Sequence, residues 1–136
     1  MATGKLIFDI AMSLADNVGD DTREYSIRAV HIINQLAGEL YPYSDTFTKT
    51  DDGTRPVIAR IQSLSDTLAL DDYCCHTVLP YGLAAQLMAT EDPNLASFLQ
   101  QRYEELRALI ARGFPQEFET ITDAYTDSFT ASGAWE

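Results

Sequence analysis

Positive charge is what this chain has least of. Nine lysines and arginines stand against 21 aspartates and glutamates, a formal net charge of −12. A broad surface that grips nucleic-acid phosphates needs the opposite balance, so the composition argues against that role. It suits a protein that stays soluble at high concentration, or one that must not stick to nucleic acid near it. Long apolar runs are also missing. The longest are too short to cross a bilayer, and the N-terminal stretch has no signal-peptide pattern, so the expectation is a soluble, intracellular chain. Cysteine is scarce: Cys74 and Cys75 are the only two, and they are neighbours. A bridge between adjacent residues is strained, which removes a disulfide framework.

Chemistry-bearing motifs are absent too. There is no nucleophile elbow, P-loop or HExxH pattern. Cys74, Cys75 and His76 form a Cys-Cys-His run. Metal ligands on a helix want i, i+3 or i+4 spacing, whereas three consecutive residues point three ways, so two thiols in a buried helix start are expected and zinc is not. The other histidine, His31, sits among apolar neighbours in a helical pattern and reads as a core-edge residue. Glu119, Asp123 and Asp127, spaced i, i+4, i+8, would align on a helix and suit a hard cation. With no histidine or base beside them, a solvated acidic face is the better reading. Glu104 and Glu105 stand near Arg102 and Arg107, where mixed-sign pairing along a helix is ordinary. No catalytic residue, cofactor or metal site is assigned.

What the sequence does have is helical periodicity. At 136 residues the chain is one domain with enough material for a core, and 46% of it is hydrophobic. Residues 5–18 place Ile7, Ile10, Leu14 and Val18 at helical spacing, and Gly19 ends that helix. Residues 23–40 put Ile27, Val30, Ile33, Ala37 and Leu40 on one stripe, widened by Ile32 and Leu36. The pattern then breaks over 41–57, which holds Tyr41, Tyr43, Phe47, Pro42, Pro56 and an Asp52-Gly53 turn. A short hairpin or an extended arm is expected there. In residues 61–70, Leu68 and Leu70 alternate like a short extended piece, though a helical turn fits as well. A third helix is expected over 71–90, with Cys74, Val78, Tyr81, Ala85 and Met88 recurring and Leu79, Leu83 and Leu87 filling the rest. Asp92 as cap and Pro93 at the first position open a fourth, with Leu95, Phe98, Leu99, Tyr103, Leu106 and Ile110 on its stripe, ending at Gly113. Residues 114–136 are acidic and aromatic and read as an arm.

The stretch "LPYGLAAQLM", residues 79–88, is the strangest part of the third helix. Pro80 lacks the N–H that would reach the His76 carbonyl, and its ring pushes that turn apart, so a bend is expected. Gly82 costs about 1 kcal/mol of helix propensity. With Ala84 and Ala85 it leaves a nearly bare surface that another helix can approach closely. The expected architecture is therefore all-α: a small four-helix domain over 1–113 with a kinked central helix and the 41–57 arm inserted, then a C-terminal arm over 114–136.

Residues 68–106, "LALDDYCCHTVLPYGLAAQLMATEDPNLASFLQQRYEEL", also resemble a family of small phage and prophage proteins of Gram-positive bacteria. These are the head–tail connectors, also called head-completion or neck proteins. The likeness lies in Leu70-Asp71-Asp72, in "LPYGLAA" from Leu79 to Ala85, in Glu91-Asp92-Pro93, and in "FLQQRYEEL" from Phe98 to Leu106. "GELYPYSDT", residues 38–46, is similar as well; the Cys-Cys-His run is not part of the likeness. The resemblance implies a structural protein and no enzyme. It would assemble as a homo-oligomeric ring between the portal and the tail or head-closure protein. The ring would line the DNA exit channel without sequence-specific DNA binding and without a membrane. Its place would be the virion neck, and the host cytoplasm during assembly. Aromatic residues of the two arms would then be interface anchors: Tyr41, Tyr43 and Phe47 in one, Phe114, Phe118, Tyr125, Phe129 and Trp135 in the other. Two other readings stay open on the residues alone: a helical adaptor or regulator unrelated to phage, and a metal-dependent helical enzyme using the tail carboxylates.

Overall fold

The computed structural model describes residues 1–15 and 23–112. Within them the protein is mainly helical, with four α-helices and a single two-stranded sheet. Strand β1 is Ala2–Thr3 and helix α1 is Gly4–Leu14; helix α2 is Arg23–Leu40. Strand β2 is Thr67–Leu68, helix α3 is Leu79–Leu87 and helix α4 is Pro93–Arg112. The two strands pair antiparallel, Ala2 with Leu68 and Thr3 with Thr67. This small ladder ties the start of the chain to the segment that leads into α3.

Thr3 caps α1: its hydroxyl accepts from the Leu6 N–H at 3.2 Å. The buried face of α1 is Gly4, Ile7, Phe8, Ala11 and Met12. Ile10 and Leu14, expected on the inner stripe, are only half-buried, and Val18 lies outside the described residues. The correction is a small rotation, because the pairs 7/8 and 11/12 share one face and Ile10 falls at its edge. Helix α2 keeps the expected bounds but turns a different face inward. Ala29, Ile33, Leu36, Ala37 and Leu40 are fully buried, whereas Ile27 is 70% exposed. At about 100° per residue Ile27 stands nearly opposite that row. His31 is exposed too, not at the core edge.

After α2 the chain makes a 3-10 turn at Tyr41–Tyr43 and then runs without regular structure to the turn before β2. No hairpin forms about Gly53. Gly53 adopts φ +80°, as a tight turn requires, and the Asp52 carboxylate accepts from the Thr54 N–H and hydroxyl at 3.1 and 2.7 Å. The residues on either side form no ladder. With few apolar side chains between Thr48 and Pro56, the flanks have nothing to hold them as paired strands.

The third helical stretch begins at Asp72 and ends at Leu87, three residues before the expected 90. Its first part, Cys74–Val78, is π-helical, and the Leu79 N–H donates to the Cys74 carbonyl. That wide turn directly precedes Pro80. It accommodates the missing donor and the ring by loosening the turn ahead of them. In α3 seven of nine residues are buried: Leu79, Pro80, Gly82, Leu83, Ala84, Ala85 and Leu87. Helix α3 contacts α1, α2 and α4, so it is the hub of the core. The turn to α4 is capped by Asp92, whose carboxylate accepts from the Leu95 N–H at 3.2 Å. Leu99, Tyr103, Leu106 and Ile110 face inward from α4, but Phe98, expected beside them, is 63% exposed. Phe98 is adjacent to Leu99 on the helix and so turns away from the face that α3 covers.

Candidate interaction surfaces

Of the described glycines, Gly82 is the most closely approached. A Cβ placed there would lie 2.8 and 2.9 Å from two ring carbons of Tyr103 on α4, and 3.0 Å from a methyl of Leu36 on α2. The two ring distances are shorter than real Cβ contacts and the third is at the tight end of them, so three helices converge on the absent side chain. Tyr103 is fully buried, and its hydroxyl has no hydrogen-bond partner among the described residues. Burial, with the Glu39 carboxylate near it, pushes its proton affinity well above the ordinary phenol. Arg107 Nη1 reaches Glu39 Oε1 at 2.9 Å and links α4 to α2 close to the same place. Arg102 pairs along α4 with Glu105 at 3.2 Å.

Cys74 and Cys75 are both buried free thiols, and His76 is exposed. Cys75 Sγ donates to the Leu70 carbonyl at 3.4 Å. Burial pushes Cys75 up to about 11 and Cys74 further, in part through the neighbouring Asp71 carboxylate. A thiol held so firmly in its protonated form is a poor nucleophile. Among the described residues no group of three His, Cys, Asp or Glu side chains is placed to hold a metal ion. Nor is any helix among them long and apolar enough to cross a membrane.

The segment from 41 to 64 forms a strap over the outer side of α2. The Tyr41 and Phe47 rings meet edge to face with centroids 5.4 Å apart. Tyr41 packs against the core, while Tyr43 is half exposed. Ile58 and Ile61 are buried, and Val57 between the loop and these anchors is 81% exposed. The strap is pinned by Asn34. Its amide nitrogen donates to the Ile61 carbonyl and its amide oxygen accepts from the Ile61 N–H, both at 2.9 Å. One side chain thus supplies a residue's worth of strand pairing from the middle of a helix. Sequence reasoning did not single out Asn34, although asparagine is a poor helix former and its place inside α2 was a hint.

Beside this clamp are two hollows of about 670 and 410 Å³ that share His31, Asn34 and Arg60. They form one groove between α2 and the strap, with Ile27 in one hollow and Val57 in the other. Of the residues expected to act as anchors, the structure brings Tyr41 and Phe47 together and leaves Tyr43 at the surface. Phe114, Phe118, Tyr125, Phe129 and Trp135 lie outside the described residues, as do Glu119, Asp123 and Asp127. Pro80, Gly82, Ala84 and Ala85 are all buried in the hub. Comparison of the chain with protein-family models, with curated proteins and with solved structures returns no match.

Proposed function

We propose that this chain is a structural head–tail connector protein of a phage or prophage of Gram-positive bacteria. It would assemble as a ring between portal and tail, lining the passage for DNA. One observation supports the reading above the others. Gly82, the glycine of "LPYGLAA", lies so close to Tyr103, the tyrosine of "FLQQRYEEL", that a Cβ on the glycine would fall 2.8 Å from the ring. The two stretches that carry the family resemblance are therefore two halves of one packing unit. The acidic surface agrees with a channel through which DNA must pass without adhering. Ring closure requires two different surfaces on each subunit, one fitting the other on the next copy. The strap offers one set of anchors in Tyr43 and Val57, both exposed; the aromatic residues of 114–136 offer a second.

The test is a search for portal and capsid genes beside this one, then co-expression with that portal protein and electron microscopy. Rings capping the portal are the expected result. Absence of portal and capsid genes nearby, with no binding to a portal, would instead favour a helical adaptor unrelated to phage. Deleting residues 117–136 should leave the four helices folded and impair assembly. A truncated chain that unfolds would place that segment in the core.

A further inference from the structure

We propose that in the free chain the groove between α2 and the strap holds the C-terminal segment of the same molecule, within residues 114–136. The groove is apolar at both ends, where Ile27 is 70% and Val57 81% exposed. A concave surface with apolar side chains at its edges gives a bound segment apolar area to cover. Between them stand His31 and Arg60, which line both hollows. Charge selects the occupant. Three of the nine basic residues, Lys5, Arg102 and Arg107, already have acidic partners, whereas Arg60, which lines both hollows, forms no ion pair among the described residues. Residues 113–136 hold five acids, Glu117, Glu119, Asp123, Asp127 and Glu136, and no lysine, arginine or histidine. They also hold five aromatics, the side chains that gain most by leaving water. An acidic, aromatic peptide is what a groove with apolar ends and an arginine between them accepts.

Reach permits it. The Arg107–Glu39 pair fixes the end of α4 beside the end of α2. The groove runs along α2 from Ile27 to Gly38, about 16 Å at 1.5 Å per helical residue. The segment leaving Arg112 spans about 80 Å when fully extended at about 3.3 Å per residue. A tethered segment also meets its site at an effective concentration that no second copy matches in dilute solution. The inference does not rest on the connector reading, since a chain that never meets a portal can still hold its own tail.

Trp135 is the only tryptophan, so its fluorescence reports on this segment alone. In the full chain at low ionic strength its emission should be blue-shifted, and its quenching by acrylamide several-fold weaker, than in the same chain in denaturant. Arg60→Glu and Val57→Asp should each move both readings towards the denatured values; Lys5→Glu, on α1, should not. Salt at 1 M, where the Debye length falls to about 3 Å, should weaken the protection. Dilution should leave it unchanged. Both groove positions are exposed, and a thermal melt checks that each variant folds; if Arg60→Glu does not, Val57→Asp carries the test. A native Trp135 as quenchable as the denatured one, or one indifferent to both groove substitutions, overturns the proposal. Protection that is lost on dilution overturns it as well, by placing the segment on a second copy.

Discussion

Helix α3 and the strap both lie against α2, yet they are held by opposite means. Helix α3 is held by shape. Its buried face is aliphatic or bare, and at Gly82 its neighbours leave no room for a Cβ. The strap is held at points: Ile58 and Ile61 buried, the Tyr41–Phe47 ring pair, and one amide clamp from Asn34. Packing held by shape fails when volume is added. Packing held at points fails when one point is removed, and then only locally.

The largest effect should come from Gly82→Leu. Even one added carbon would meet the Tyr103 ring, so the leucine should cost more than about 2 kcal/mol. Denaturant unfolding measures it, and combining the change with Tyr103→Leu should recover part of the loss. A variant that melts like wild type would sink the account of α3. Next is Asn34→Leu, which leaves the Ile61 N–H and carbonyl without their partner. A loss of about 2 kcal/mol is expected. Amide exchange at Ile61 should speed up far more than exchange at Leu83. Equal acceleration at both sites would mean that the strap and the core open together.

Alkaline pH gives a third, smaller effect. Both thiols hold their protons more tightly in the folded chain than in the unfolded one. That stabilisation is complete below pH 9, the ordinary thiol value, and is lost as pH rises through about 11 for Cys75. Chemical unfolding across that window should show falling stability, with a shallower slope in a Cys74→Ala, Cys75→Ala variant. The smallest effect belongs to Phe98→Glu. With Phe98 63% exposed, stability should change by less than about 0.5 kcal/mol. A larger loss would show that α4 hides a packing surface on its outer side.

The same contrast decides what could be read from the residues alone. The α2 bounds, the Asp92–Pro93 start of α4 and the mainly helical class follow from caps and 3.6-residue periodicity, which are local. The identity of the buried faces does not. Ile27 and Phe98 fit an apolar stripe as well as Ile33 and Leu99 do, and only the position of neighbouring helices separates them. The strap was less legible still. Its clamp joins Asn34 to a backbone 27 residues away, and no periodicity records such a pairing. The turn at Gly53 is present, but a turn signal says nothing about whether its flanks will find partners. The groove beside Arg60 needs both segments in place before it exists at all.

Gly82 also governs how the α3–α4 hairpin may slide. Two smooth apolar helices have several nearly equivalent alignments, each one helical turn apart. Here the ring of Tyr103 occupies a notch only one residue wide. Moving α4 by a turn in either direction would carry that ring off Gly82 and onto a residue that has a side chain. The notch therefore acts as a detent: it rejects wrong alignments by collision, with no polar pair to specify the right one. Gly82→Ala should blunt that stop before it abolishes the fold, giving a hairpin with more than one register and broadened methyl resonances for Leu36 and Leu83.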